Sequence, residues 1–250
     1  MLTFNNAVAA IATEDMILVI VGLCFLPALI WMLVSSVKVN SVFRRYSKVK
    51  SRSNMTGAEV ARKILAEAGL YNVRIEPCKG NLTDHYDPRS DTVFLSESTF
   101  SSTSVAAHGV AAHEVGHAMQ YASSYAPVKM RTALVPILSF SSKFTFPLLM
   151  FSIILEIFMG FNMVSNALLA VSIAIYGLYT LFSLITLPVE YNASSRAKKM
   201  LLKCGILDSE EVGYTSKVLG AAAQTYLASF VFSFLQFLRL LSLLLIRRRD

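Results

Sequence analysis

Residues 16–37, MILVIVGLCFLPALIWMLVSSV, form a run of 22 positions without a charge. At about 1.5 Å per helical residue this is enough to cross a hydrocarbon layer of roughly 30 Å. The preceding stretch, 1–15, has no Lys or Arg and carries Glu14 and Asp15, which argues against a cleaved signal peptide. Basic residues follow instead: Lys38, Arg44, Arg45, Lys48, Lys50 and Arg52. The positive-inside rule therefore predicts a short external N-terminus (1–15), a membrane helix (16–37) and entry into the cytoplasm. A second apolar stretch, 144–189, holds 46 residues and one charge, Glu156, too long for one crossing. Gly160-Phe161-Asn162 divides it into a hairpin of two spanning helices, with Glu156 about one turn from the external bend. The hairpin returns to Arg196, Lys198, Lys199 and Lys203 on the cytoplasmic side.

The third apolar stretch is ambiguous. Residues 218–238 carry no charge, but Arg239 and the tail Arg247-Arg248-Arg249-Asp250 follow. If the segment spans, those arginines end up outside, against the rule. Thr225, Ser229, Ser233, Gln236 and Arg239 recur at helical spacing. Such a stripe suits either a helix along the inner interface or one that turns a polar face inward on a bundle. The first of these is preferred, with the arginines on anionic headgroups.

Between the first crossing and the hairpin, 38–143 reads as an ordinary water-soluble segment. Thr56-Gly57-Ala58-Glu59 is a capping box. It opens a helix with Val60, Ile64, Leu65 and Ala68 on one face, stopped at Gly69. Val73 and Ile75, then Val93 and Leu95, alternate with polar residues and predict two short strands. Asp84 to Asp91 between them is dense in turn residues. An Ala-rich helix runs from about Ser104 to Tyr121. The expected fold is a mainly α membrane protein: three or four membrane helices plus a small α+β cytoplasmic domain. Its cytoplasmic parts are 38–143 and 190–217, and 218–250 is an apolar helix with a basic tail.

Composition agrees. Hydrophobic residues make up 54% of the chain and charged residues 16%, against roughly a quarter charged in soluble domains. Mean hydropathy is +0.54. This excludes a disordered chain, a collagen-like repeat and a coiled coil. The net charge of +7 reads as membrane topology, and no nucleic-acid partner is expected. Cys24, Cys78 and Cys204 share no metal-type spacing and imply no disulfide framework.

The chemistry is concentrated in His113-Glu114-Val115-Gly116-His117. Histidines at i and i+4 lie one turn apart on one face, so both imidazoles can reach one zinc ion, and the intervening glutamate can act on water there. With 4 His in the chain, chance yields the pattern in about one such sequence in 400. Exposed helix histidines are the alternative, which small apolar neighbours make implausible. A catalytic zinc needs a third protein ligand. No third histidine follows closely; His108 lies about 140° around the helix and reads as a packing residue. His85, in the turn-rich segment, could face a substrate. Glu190, in LPVEYNASSRAKKM, is the preferred third ligand. The small residues Ala193, Ser194 and Ala197 would let its helix approach the histidine helix closely.

These segments, with the run SVAAHGVAAHEVGHAMQYASSYAPVKMR, resemble the YugP-like bacterial membrane zinc metallopeptidases over nearly the whole chain, and more distantly the HtpX-type gluzincin proteases. The resemblance implies that the cytoplasmic α+β domain is zincin-like and that zinc (Zn2+) is held by His113, His117 and Glu190, with Glu114 as general base in hydrolysis of protein or peptide substrates. Such relatives usually have an aspartate four residues after the glutamate, orienting a zinc-ligand histidine. Here that position is Ser194, whose hydroxyl or a water would serve instead. The strand at 92–96 could pair with an extended peptide, and His85 or Tyr86 could stabilise an oxyanion. The expected setting is a multi-pass protein of the cytoplasmic membrane, its partners the bilayer and a membrane-proximal substrate. Rival readings are an intramembrane site-2-type protease, disfavoured because the later membrane segments lack aspartate, a zinc-binding scaffold without turnover, and a transporter, disfavoured by the absence of repeat symmetry.

Overall fold

The computed structural model describes residues 2–160 and 163–247. Among these residues seven helices and three strands follow one another: α1 (Leu2–Tyr46), α2 (Gly57–Glu67), β1 (Arg74–Cys78), β2 (His85–Asp87), β3 (Thr92–Ser96), α3 (Glu97–Phe100), α4 (Val105–Ala122), α5 (Ala126–Met159), α6 (Met163–Lys203) and α7 (Ser209–Arg247). Two compact units divide the chain. One comprises 34–130 and 185–226, the other 1–33, 131–184 and 227–250.

The first unit holds the sheet and the shorter helices. Thr56 caps α2 as the sequence predicts: its hydroxyl accepts from the Glu59 backbone, while the Glu59 carboxylate accepts from the Thr56 N–H at 2.7 Å. Gly69, at φ +72°, takes the left-handed conformation that turns the chain after α2. Val60, Ala61 and Ile64 are fully buried beneath it. The sheet order is β1-β3-β2, with β1 parallel to β3 and β2 antiparallel to it. Central β3 buries Val93 and Leu95 completely.

Two expectations are corrected here. The turn-rich segment contains a strand, so His85 stands on β2 and not in a turn. And β3 cannot accept a peptide along its edge, because β1 and β2 already occupy both of its sides. Helix α4 begins at Ser104, whose hydroxyl accepts from Ala107 N–H at 3.1 Å. Its alanines and glycines permit close packing: a Cβ on Gly109 would lie 2.6 Å from Thr215 Cγ2 of α7. The Thr215 hydroxyl donates to the Val105 carbonyl at 3.1 Å.

The second unit is built from helical segments alone. Leu169, Ile173, Leu240 and Leu244 form its small core. Large apolar side chains such as Leu23, Phe158 and Met163 are exposed, a surface that suits lipid rather than water. By length and composition, three helices among the described residues could cross a membrane: Gly22–Tyr46, Met163–Lys203 and Ser209–Leu245. A shorter apolar stretch, Pro147–Met159, belongs to α5. Helix α5 ends at Met159 and Gly160 takes φ +69°, within the predicted break; Phe161 and Asn162 lie outside the described residues, as do the Glu156 side chain and 248–250.

Two positions of the polar stripe of α7 meet other helices of this unit. Ser233 is fully buried and its carbonyl accepts from the Thr180 hydroxyl at 3.2 Å. The Arg239 guanidinium sits over the Phe25 ring. Both contacts are of the kind an inward-facing helix makes, whereas Gln236 Oε1 is buried without a hydrogen-bond partner.

Candidate metal centre

Two helices of the first unit supply the centre. On α4, His113 and His117 are one turn apart, their rings edge to face with centroids 4.7 Å apart. On α6, Glu190 is 3% exposed. Its Oε2 is 3.2 Å from His113 Nε2 and 3.7 Å from His117 Nε2. The three donor atoms all lie within 4.8 Å of one another. The approach that permits this is made by Gly116: a Cβ there would stand 2.6 Å from the Ala193 carbonyl oxygen. Only hydrogen fits between the two backbones, so the small residues of both helices bring Glu190 to the histidines.

The remaining ring nitrogens fix which atoms face inward. Ser194 Oγ lies 3.1 Å from His113 Nδ1, in place to accept its N–H. His117 Nδ1 donates to Gln120 Oε1 at 3.0 Å. With the ring protons on Nδ1, both Nε2 atoms direct lone pairs at the Glu190 side. Gln120 is fully buried, and its amide nitrogen donates to the Val189 carbonyl at 2.7 Å and to Asn192 Oδ1 at 3.0 Å. Asn192 Oδ1 also accepts from Arg196 Nε at 2.8 Å. Arg196 in turn reaches the Met119 carbonyl and Ser123 Oγ, near the C-terminal end of α4.

Two imidazoles and one carboxylate are a donor set that suits zinc, and three protein ligands leave a fourth position for water or substrate. The orienting partners on both Nδ1 atoms are of the kind metal-ligating histidines need. The residues present therefore fit the metal.

Glu114 lines the same cavity, which also includes His113, Glu190, Ser194 and Asp84 and measures about 180 Å³. Burial pushes the Glu114 carboxyl up from the ordinary carboxylate range; His113 and His117 oppose that, and the negative charges of Glu190 and Asp84 add to it. Asp84 is held in place by Ser96, accepting from its backbone N–H and its hydroxyl, each at 2.8 Å.

Other predicted positions fall elsewhere. His108 is fully buried and binds the Met55 carbonyl through Nε2 at 2.6 Å, a packing residue as expected. His85 is exposed, its ring stacked on Phe94. The Tyr86 hydroxyl donates to Asp91 Oδ1 at 2.7 Å. Neither lines the cavity, so the oxyanion reading of both is corrected: one ring is spent on Phe94 and the other's hydroxyl on Asp91. Sequence reasoning missed Gln120, Asp84 and the α7 residues Val218, Leu219, Ala222, Ala223 and Tyr226, all on the cavity wall except Gln120. Gln120 carried one usable signal, a long amide three residues after His117 on an otherwise small and apolar helix.

A His-His-Glu donor set beside a buried glutamate, in a helix-rich chain with three helices of membrane-spanning length, defines the class as that of candidate membrane metallohydrolases. Comparison with known proteins gives the family: the chain belongs to the one described as "Putative neutral zinc metallopeptidase", whose model matches residues 21–245. It is 43% identical over 208 residues to the "Putative membrane protease YugP" of Bacillus subtilis (strain 168), covering 83% of this chain and 89% of that protein. No solved structure matches.

Proposed function

We propose that this protein is a membrane-bound zinc metalloprotease of the HExxH, gluzincin type. The observation that carries the reading is the convergence of His113, His117 and Glu190 donor atoms within 4.8 Å, next to Glu114 on the wall of one cavity. His113, His117 and Glu190 would hold the metal. Zinc supplies Lewis-acid chemistry when bound, making water more acidic and the scissile carbonyl more electrophilic. Glu114 takes a proton from the attacking water as its oxygen adds to the carbonyl carbon. It then delivers that proton to the departing amide nitrogen as the C–N bond breaks. A carboxyl group whose affinity for protons is raised by burial suits both halves of that exchange. Ser194 and Gln120 keep the two imidazoles oriented.

An extended peptide would add to the outer edge of β2, because Leu82 and Asp84, just before that strand, line the cavity. Residues 38–143 and 190–217 would form the cytoplasmic catalytic part, as the basic residues after the first apolar run argue. Glu190 follows the apolar stretch 163–189 on one uninterrupted helix, which favours substrates that are membrane proteins or peptides cut near the cytoplasmic surface.

The test is metal content and cleavage measured together. Wild type is expected to hold stoichiometric zinc, Glu190→Ala to lose it, and Glu114→Gln to keep zinc while losing cleavage. Full zinc in Glu190→Ala removes Glu190 from the ligand set. Unchanged cleavage in Glu114→Gln defeats the proteolytic reading, and a wild type that cleaves nothing while holding zinc favours a zinc-binding scaffold. Equal cleavage of soluble and membrane-anchored substrates would sink the membrane-proximal preference.

A further inference from the structure

The cavity at the candidate metal centre has two chemically different sides. His113, Glu114, Glu190, Ser194 and Asp84 make the polar one. The rest of the lining is apolar: Val39 and Phe43 of α1, Val110 of α4, and Val218, Ala222 and Tyr226 of α7. Positions 218, 222 and 226 recur every four residues and therefore share one face of their helix. Phe43 and Val218 are almost completely buried, so this wall is set in the core and is not a loose surface patch. Ala222 and Ala223 are the small residues that leave space between the larger ones.

We infer that this apolar side is a side-chain subsite, formed mainly by α7, that accepts an aliphatic side chain adjacent to the bond under attack. The inference rests on the metalloprotease reading and names its substrate class: peptides with a Leu-, Ile-, Val- or Met-like residue beside the cleaved bond.

Charge and size both support it. A carboxylate side chain would lose its hydration against valine, phenylalanine and alanine and would face Asp84, Glu114 and Glu190 across the cavity. A lysine would likewise lose its hydration against that wall, and the three carboxylates that would attract its ammonium are each already engaged. The Asp84 oxygens accept from Ser96, Glu190 lies against the histidines, and Glu114 serves the proton transfer. The whole cavity is about 180 Å³, and part of it must admit the carbonyl and the water. What is left suits a branched aliphatic group. Pockets of this kind are largely apolar with a few convergent polar groups, and one methylene group more or less changes selection by about 10–200-fold.

Peptidyl hydroxamates separate the subsite from turnover, since they bind zinc and are not cleaved at that group. Three probes differing in one side chain, isobutyl, methyl or carboxymethyl, are titrated into the zinc-loaded full-length protein in detergent micelles. The isobutyl probe is expected to bind at least about tenfold more tightly than the carboxymethyl one. Ala222→Leu, which fills the space, is expected to weaken the isobutyl probe by about tenfold or more and to affect the methyl probe far less. Ala222→Gly enlarges the space and moves the ratio the opposite way, towards bulkier groups. Equal binding of isobutyl and carboxymethyl probes overturns the subsite, as does an Ala222→Leu variant that weakens all probes alike. Binding by none of the probes overturns the metal centre on which the subsite depends. An isobutyl preference in a protein that hydrolyses no peptide leaves the subsite standing and defeats proteolysis alone.

Discussion

The side-chain nitrogen of Gln120 donates to the Val189 carbonyl at 2.7 Å, one residue before Glu190. The same side chain accepts the His117 Nδ1 proton at 3.0 Å through its oxygen. One buried amide thus ties a histidine on α4 to the backbone that carries the glutamate on α6. Distances between donors on separate helices depend on such ties more than on the donors' own rotamers.

Removing this tie should loosen the centre without unfolding the chain. Gln120→Leu keeps the volume and abolishes all three of its side-chain hydrogen bonds, to His117, the Val189 carbonyl and Asn192; by analogy with other residues that orient metal ligands, zinc affinity should fall by about 10–100-fold. Competition with chelators of graded affinity measures it. Gln120→Glu separates the two roles. It retains an acceptor for His117 but turns a carboxylate against the Val189 carbonyl, so its affinity should fall between wild type and Gln120→Leu. Wild-type affinity in Gln120→Leu would show that the amide positions nothing.

Gly116 sets the spacing of the same two helices. Glycine to alanine in an exposed helix ordinarily gains about 1 kcal/mol. At Gly116 the new methyl carbon would stand 2.6 Å from the Ala193 carbonyl oxygen, and an oxygen of the backbone cannot swing aside. The helices must separate, an overpacking cost of roughly 1–3 kcal/mol. Gly116→Ala should therefore lower thermal stability and zinc affinity together. Gly213, whose added Cβ would meet nothing, is the control: Gly213→Ala should not destabilise.

These residues also mark what could be read in the sequence. His113, Glu114 and His117 were legible because their geometry is local: a helix converts spacing directly into a shared face. Glu190 was legible through the small residues after it, which foretell a close helix contact although the partner helix is far away in sequence. Val218, Ala222 and Tyr226 were not. Apolar residues repeating every four positions look the same whether they meet lipid, a core or a substrate cavity, and only tertiary structure tells these apart. Strand β2 was hidden because Asp84, Asp87, Pro88 and Ser90 signal turns, and three residues of strand are held there by pairing with β3 rather than by their own preference. The surroundings of α7 were similarly masked, since its polar stripe suits two environments and the contacts of the Ser233 carbonyl with Thr180 and of Arg239 with Phe25 depend on distant helices.

His108 predicts a pH effect independent of the metal. Its Nε2 donates to the Met55 carbonyl, and its Nδ1 is buried without a hydrogen-bond partner. Burial holds its pKa below the ordinary histidine value, while the Met55 bond and the charge of Glu211 pull the other way. Because the folded-state pKa is depressed, the neutral ring contributes stability that is complete above the unfolded-state value, about 6.5. That stability is lost as the pH falls from there towards the lower folded-state pKa. The unfolding temperature of wild type should accordingly drop between pH 7.5 and 5.5. His108→Gln, which keeps a donor for Met55 and cannot be protonated, should show a shallower drop. Parallel curves for the two proteins would remove His108 as a source of the acid sensitivity.

Ser194 provides the last prediction, because a hydroxyl stands here at the position that orients His113. The Oγ of Ser194 is 3.1 Å from His113 Nδ1, so the serine fills the orienting place with a neutral acceptor. A neutral acceptor fixes the tautomer but adds little basicity to the ring, whereas a carboxylate does both. Ser194→Ala should leave the His113 N–H without an acceptor and reduce zinc affinity by about tenfold. Ser194→Asp should bind zinc at least as tightly as wild type, since the imidazole proton offsets the cost of burying the new charge. The two variants share the loss of the hydroxyl and differ in the acceptor, so packing alone cannot mimic the pattern. Equal zinc affinities in Ser194→Ala and wild type would mean that His113 is oriented by its packing on α4 and not by the hydroxyl.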